Sequence, residues 1–388
     1  MNLHIMKDNK FYDGMTEEII SRGLINNNIY FVYKGSKGCL RYMKEYPNSI
    51  YGDSEDLYKI NLSDYDKVIF HNLMDPSWRK YLSIQGRIKG SCKIYWRLWT
   101  GDNYRMMRYA NLFQKPLTTK HNWGSNKHQQ ITNVISDPIT VLRNIRARVR
   151  YRSDYEILKK ALPFVDYAMN WNYFEYDLLK SLYPMLRAKT LIHGYVRKET
   201  AELLKSETED HHELRICVGH SGYEISKHEH IFDIVHKKIG SKTDYRVYCP
   251  LSYGDKDYID RILDYGRNIF GDRFIPMIEF MHYRDYIEIL NSMDIFIYGQ
   301  PIPMGIGNIS LALRLGKKVF LSSGNPALQY LRDHGYTIYS IESIEEQPML
   351  LRTPLDLKVA DQNVHCWKTN RDHTIRMYDQ TLSEIICK

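Results

Sequence analysis

Twice along this chain, short apolar runs alternate with stretches of helical periodicity, and that alternation narrows the fold more than any other feature. Apolar runs without polar alternation are strands covered on both faces. Helices between them supply the cover, so each series reads as βα units around a parallel sheet. The first series is LHIM (3–6), IYFVY (29–33), KVIF (67–70) and KIYWRLW (93–99), followed by 166–172 and 190–195. Between the third and fourth runs, a helix starts at Pro76 and stops at Gly86, the terminal chemistry helices favour. The second series places strands at 214–221, 245–251, 294–298, 317–322 and 337–341. Its helices fall at 230–240, 257–266, 308–316, on the face marked by Tyr283, Tyr286, Ile287 and Leu290, and after Asn325-Pro326. The reading is α/β, with two Rossmann-like doubly wound domains over 1–200 and 210–370. A charged connection at 197–213 separates them, and a polar excursion occupies 115–140. In 371–388, Ile375, Tyr378, Leu382, Ile385 and Ile386 recur near helical spacing, which predicts a final helix packing back on the first domain.

The chain has 388 residues, too many for one hydrophobic core. Its 32 Tyr, 12 Phe and 6 Trp exclude a disordered chain. No run reaches the ~18 apolar residues that a membrane span needs. The start, MNLHIMKDNKFYDG, has no apolar signal core, so the expectation is a cytoplasmic protein. Six cysteines (Cys39, Cys92, Cys217, Cys249, Cys366, Cys387) show no metal-ligand spacing; they read as buried thiols, with no metal and no cofactor expected. The balance of 54 Lys+Arg against 46 Asp+Glu gives +8, which favours an acidic partner. The excess peaks in VLRNIRARVRYRSDYEILKK (141–160), with Arg143, Arg146, Arg148, Arg150 and Arg152. That run is either a solvated helical face or a surface for anionic headgroups or a polyphosphate.

In open parallel sheets, ligands sit beyond the carboxyl ends of the strands. At such an end, Gly305-Ile306-Gly307-Asn308 opens a helix. Glycines let backbone N–H groups approach an anion at the positive end of the helix dipole; the alternative is a plain tight turn. Gly219, His220, Ser221 and Gly222 occupy a similar strand-to-helix junction, again either a phosphate or sugar grip or a turn. In the first half, His71 and Asp102 follow strands. Either could take a proton from an acceptor hydroxyl. Against this, Asp102 suits a helix N-cap and His71 a satisfied core position. Trp96 and Trp99 read as core or as a sugar-stacking face.

Two doubly wound domains facing across a cleft are also the architecture of GT-B nucleotide-sugar transferases. KVIFHNLMDPSW, KIYWRLWTGDNY, ICVGHSGYEISKHEHI, YRVYCPLSYG, YRDYIEILNSMDIFIY and GIGNISLALRLGKKVFLSSGNP occur here in one order. The chain thereby resembles the bacterial TDP-N-acetylfucosamine:lipid II N-acetylfucosaminyltransferases, also described as 4-alpha-L-fucosyltransferases. The likeness is loose over 1–200 and tighter over 214–341. It implies a GT-B fold and a TDP-sugar donor, and the reading is of a metal-independent transferase. It also implies a polyprenyl-diphosphate-linked saccharide acceptor at the inner face of the cytoplasmic membrane. Carried over, Gly219, Ser221 and Gly222 match a Gly-Asn-Ser-Gly element, with His220 where Asn is usual. Pro250, Tyr253, Glu279, Gly305, Ile306, Gly307 and Asn325-Pro326 match donor-side positions. Asp102 and Tyr104 match an acidic-aromatic element, and His71 a Phe-His-Gly element. Arg97 stands where His is expected and Thr100 where Gly is, and 115–150 has no counterpart. Asp102 is the preferred base, because it follows a strand expected to end at the cleft, is ionised at neutral pH without tuning, and matches the acidic position of the resemblance. His71 is the second choice and the loop near Asp8 or Asp13 the fallback. The competing readings are a nucleotide-sugar-binding protein without turnover and a nucleic-acid-binding α/β protein. No nucleic-acid motif accompanies the charge, so nucleic acid is not an expected partner.

Overall fold

The computed structural model describes residues 1–9, 16, 19, 20, 23–99, 101–106, 138–170, 173–192 and 212–387. Of the expected polar excursion at 115–140, residues 115–137 lie outside them, as do 197–211 of the connection at 197–213, Asp13 and Thr100; residues 138–140 are not irregular but open a helix. The chain divides into two compact units: one contains the described residues up to 192 together with 374–387, the other 212–373.

The first unit holds a seven-stranded sheet, all parallel, in the order β3-β2-β1-β4-β5-β6-β7. Its strands are β1 (Asn2–Met6), β2 (Asn28–Tyr33), β3 (Ser49–Gly52), β4 (Lys67–Phe70), β5 (Lys93–Arg97), β6 (Tyr167–Asn170) and β7 (Lys189–Ile192). Helices α1 (Ser54–Lys59), α2 (Pro76–Gln85), α3 (Pro138–Ala161) and α4 (Tyr173–Leu182) cross over between strands. β1 and β4 are buried along their whole length, as strands covered on both faces must be. One core joins Leu3, Ile5, Phe70, Trp78, Leu82 and Trp96 to Tyr155, Leu158 and Ala161 of α3. Proline opens α3 as well as α2, where Asp75 caps the first turn by accepting from Ser77 N at 2.8 Å.

The second unit repeats the plan with six parallel strands in the order β10-β9-β8-β11-β12-β13. These are β8 (Leu214–Val218), β9 (Tyr245–Pro250), β10 (Phe274–Met277), β11 (Ile295–Tyr298), β12 (Lys318–Leu321) and β13 (Tyr339–Ser340). Between and after them run α5 (His228–Lys238), α6 (Lys256–Phe270), α7 (Tyr283–Asn291), α8 (Ile306–Arg314), α9 (Pro326–Asp333), α10 (Ser343–Glu346) and α11 (Leu357–Cys387). In both sheets the strand order reverses next to the first strand, between β1 and β4 and between β8 and β11. Those reversals are where a doubly wound sheet opens a ligand crevice.

α11 is longer than the helix expected at 371–388. In the second unit, Trp367 Nε1 donates to Ser310 Oγ at 2.9 Å. In the first, Leu382 and Ile385 pack with Ile69, Tyr95 and Met169, and Lys67 Nζ donates to the carbonyls of Glu384 and Ile385 at 2.9 and 2.8 Å. A lysine on the last carbonyls satisfies acceptors that have no partner inside the helix. Cys92, Cys217 and Cys249 are buried thiols as expected, whereas Cys39 is exposed. No helix among the described residues is long and apolar enough to cross a membrane.

Candidate active site

In the second unit, the loop after β8 and the loop after β11 meet. Gly219 N extends the ladder by donating to the Ile297 carbonyl at 2.9 Å, after which the chain turns at φ +75°. Any Cβ at Gly219 would collide with Nε2 of His228, so glycine is required there both for conformation and for space. His220 follows, only 6% exposed. Its ring lies on Gly305, whose notional Cβ would stand 2.8 Å from His220 Cγ. Gly305 has φ +69° and starts α8 with no side-chain cap. Asn308 N donates back to the Gly305 carbonyl at 2.9 Å, which leaves the N–H groups of Ile306 and Gly307 to carry the positive end of the helix dipole.

Among the described residues, no charged side chain acts on His220. Nδ1 has no hydrogen-bond partner among the described residues, and burial pushes the imidazole down to about 4. The Tyr298 ring centroid is 6.4 Å away. His228, fully buried, pairs its Nδ1 with the Tyr258 hydroxyl at 3.0 Å, while Nε2 has no partner among the described residues. Burial first, and His220 second, push His228 down to about 3. Both rings are therefore neutral at neutral pH.

Around this junction the loops are braced. Gly222 N donates to the Tyr253 carbonyl at 2.8 Å and Asp255 N to the Gly222 carbonyl at 2.9 Å. This ties the β8 and β9 loops together, with Ser221 fully buried beside the Tyr253 phenol. Asn325 caps α9 by accepting from Ala327 N at 3.0 Å, and donates to the carbonyls of Gln300 and Ile302 at 3.1 and 3.0 Å. Gln300 donates to the Met304 carbonyl at 2.9 Å. Asn308 Nδ2 donates to the Tyr286 hydroxyl at 2.7 Å.

In the first unit, the reversal between β1 and β4 carries a buried polar chain. Asn28 Nδ2 donates to the Leu24 carbonyl at 2.7 Å, which fixes its amide and turns Oδ1 toward His4 Nε2 at 2.9 Å. His4 Nε2 is thus the protonated nitrogen and Nδ1 the acceptor, facing His71 Nε2 at 3.1 Å. Burial, opposed by the Asn28 bond, pushes His4 down to about 4, so it stays neutral. The chain therefore fixes His71 as the Nε2–H tautomer and makes Nδ1 its basic nitrogen. Trp99 Nε1 donates to the His71 carbonyl at 2.7 Å, and Arg97 lies 4.6 Å over the Trp99 ring.

Asp102 is 1% exposed and holds three donors: Leu73 N at 3.2 Å, Trp96 Nε1 at 3.3 Å and Trp99 N at 3.3 Å. Burial, working against those donors, pushes its carboxyl up to about 7. It sits inside the helical stretch 101–106 and reaches back to Trp99 N. Its carboxylate thus staples the loop after β4 to the loop after β5. Asp8 is similarly occupied, accepting from the backbone N–H groups of Arg41, Tyr42 and Met43 at 2.6, 3.0 and 2.8 Å.

A family model for the 4-alpha-L-fucosyltransferases, glycosyl transferase group 56, matches residues 175–369. The chain belongs to that family. It is accordingly a glycosyltransferase. Solved structures similar to it include an alpha,alpha-trehalose-phosphate synthase (UDP-forming) from Burkholderia vietnamiensis, at TM-score 0.60 and 8% identity over 99% of each chain. The Anabaena protein Alr3699/HepE in complex with UDP gives TM-score 0.60 and 10% identity over 99% of each chain. An E. coli trehalose-6-phosphate structure bound with UDP-2-fluoro glucose gives 0.62 and 11%, with the same coverage. At such identities the likeness is one of fold: two Rossmann-like domains of the GT-B type.

Of the positions singled out in the transferase's sequence, the structure brings His220 against Gly305 at the start of α8, with Ile306, Gly307 and Asn308 in its first turn; Gly219 turns over His228, and Gly222 is tied to the loop after β9. Pro250 closes β9 and is buried, and Tyr253 is half exposed, edge-on to Tyr223. Asn325 is a brace whose amide is fully occupied by backbone. Glu279 does not join the glycine loops. It is exposed on the loop after β10, two strands from β8, at a separate cavity of about 440 Å³ lined by Arg215, Tyr248, Met277 and Met281. Arg143, Arg146, Arg148 and Arg150 lie on α3 with side chains outside the description. Arg152 is exposed and pairs with Glu156 at 3.1 Å. The sequence reading missed His4, Asn28 and His228. A histidine inside the fully buried run LHIM was the available signal for His4, because such a position needs a polar partner. Among the described residues no group of three or more His, Cys, Asp or Glu side chains is placed to hold a metal ion.

Proposed function

We propose that the enzyme moves a fucose-like or 4-acetamido-4,6-dideoxy sugar from a TDP-sugar to a polyprenyl-diphosphate-linked saccharide. The observation that carries the donor half is the start of α8, which has no side-chain cap and lies beside His220: the backbone N–H groups of Ile306 and Gly307 at a helix N-terminus suit a diphosphate. UDP occupies the Anabaena relative of this fold, which supports a nucleoside-diphosphate ligand. In the transfer, the acceptor oxygen forms a bond to the anomeric carbon as the bond from that carbon to the diphosphate oxygen breaks. The electron pair leaves on the diphosphate, and the acceptor proton needs a base. We assign that base to His71 Nδ1, because His4 and Asn28 hold the tautomer that leaves this nitrogen basic. Asp102 is the weaker choice, since its two oxygens are already spent on three N–H donors.

The arginines of α3 suit an anionic lipid surface, where each contributes ~1 kcal/mol, and that placement fits a lipid-linked acceptor. The function is tested by calorimetric titration with TDP-, UDP- and GDP-sugars, and by flotation with phosphatidylglycerol vesicles. Tightest binding of a TDP-sugar is expected, with salt-sensitive flotation that Arg143, Arg146 and Arg150→Gln weakens. Preference for another base would reassign the donor, and indifference to vesicles would return α3 to a solvated face.

A further inference from the structure

Beside the helix start assigned to the diphosphate sits a side chain whose chemistry that assignment does not use. His220 is more than nine-tenths buried, lies on Gly305 at the N-terminus of the nine-residue α8, and leaves Nδ1 without a partner among the described residues. We propose that His220 is the proton-accepting ligand of the donor diphosphate: it is neutral in the empty site and becomes an imidazolium when the nucleotide-sugar binds. Donor binding is then coupled to uptake of one proton from solvent. This deepens the donor reading above and rests on it.

The groups facing His220 make the coupling specific. From α5 comes His228, itself neutral, with Tyr258 of α6 behind it. From β11 comes Tyr298, and from α8 the backbone at Gly305. Burial alone sets the imidazole's low value of about 4, with no carboxylate, lysine or arginine contributing. The dianionic diphosphate of a nucleotide-sugar would be the one full charge beside the ring, and an adjacent opposite charge favours the protonated form. Proton linkage then makes affinity fall as pH rises, by about tenfold per pH unit between the empty-site and occupied-site values.

The experiment is isothermal titration of the full chain with TDP-glucose from pH 5.5 to 8, in buffers of different ionisation enthalpy. As a diphosphate diester, this probe keeps its charge across that range. Wild type should take up roughly one proton per TDP-glucose bound at pH 6. His220→Asn and His220→Gln, each checked for folding by its melting transition, should bind with uptake near zero and with affinity independent of pH. Binding by wild type without proton uptake overturns the proposal and leaves the donor site standing. Uptake that persists in both folded variants also overturns it and transfers the proton to His228. Failure of wild type to bind TDP-glucose, UDP-glucose or GDP-glucose at any pH overturns the donor site, and the proposal with it.

Discussion

Valine at position 307 separates the donor grip from the fold. Gly307 lies in the first turn of α8, outside the left-handed region, and a Cβ built there meets nothing within 4 Å. Glycine costs ~1 kcal/mol in a helix relative to alanine and valine up to ~0.7, so the empty variant should be as stable as wild type, or more stable by a few tenths. The isopropyl group instead fills space assigned to the diphosphate. A ligand at 100 times its dissociation constant stabilises by ~2.7 kcal/mol. For a unit of this size, each kcal/mol moves the melting point by about 2–4 °C. Wild type should therefore gain about 5–10 °C from a saturating TDP-sugar, given these increments. Scanning calorimetry of both proteins, with and without the nucleotide-sugar, reads both quantities at once. Gly307→Val should melt normally when empty and lose the ligand-induced shift. A variant that folds and keeps the full shift would remove the α8 N-terminus from the donor site.

Gly219→Ala is the opposite case. The left-handed backbone costs ~1–2 kcal/mol and the collision with His228 a further ~1–3. Urea unfolding should thus show a loss of several kcal/mol, and a loss under 1 would contradict the packing of His228 on that loop. Asp102→Asn should lower stability by ~1–3 kcal/mol through unsatisfied N–H groups, yet leave the folded enzyme's pH–rate profile unchanged. His71→Gln should keep stability and donor binding while slowing transfer ~10²-fold or more; the reverse pattern would return the base to Asp102. Acid should destabilise the chain. His4, His220 and His228 are depressed by burial to about 4, about 4 and about 3. The unfolded chain therefore binds protons that the native state refuses as pH falls below 6.5. Asp102, raised to about 7, opposes them, because its contribution is complete at low pH and is lost as pH rises through 7. From pH 7.5 to 5.5 the three histidines cost about 4 kcal/mol and Asp102 returns about 2, a net loss of about 2 kcal/mol. A urea midpoint that rises over this interval would contradict the burial of these rings.

Much of the fold was legible because the central strands are uninterrupted apolar runs. KVIF and the DIFIY run appear in the structure within a residue of their sequence bounds. The two strands that escaped, β3 and β10, lie at sheet edges. β10 is FIPM, and its Pro276 is tolerated because an edge strand has a side with no neighbour to donate to. α11 extends well before 371 because its early turns are polar and half-exposed, which leaves little periodicity to read. At the site, Gly219–Gly222 and Gly305 were visible as small residues at strand ends. Their mutual contact was not, since parallel pairing of β8 with β11 brings together residues far apart in sequence. The His71–His4–Asn28 chain depends in the same way on β1 lying between β2 and β4. Asp102 was read as a base or as a helix N-cap; it lies inside the helical stretch 101–106, its carboxylate accepting from Trp99 N. Its burial between the loops after β4 and β5, with Leu73 N, Trp96 and Trp99 donating to it, came only with tertiary structure.

The most direct test of the central claim is a product measurement. Purified enzyme would be incubated with a TDP-linked 6-deoxyhexose or 4-acetamido-4,6-dideoxyhexose and a polyprenyl-diphosphate-linked saccharide, following TDP release and the mass of the lipid product together. Expected is TDP release that depends on the acceptor, matched mole for mole by a lipid-linked saccharide heavier by one deoxy sugar, and abolished in Gly307→Val. Nucleotide-sugar binding with no lipid product, across acceptors and across TDP-, UDP- and GDP-linked donors, would contradict it.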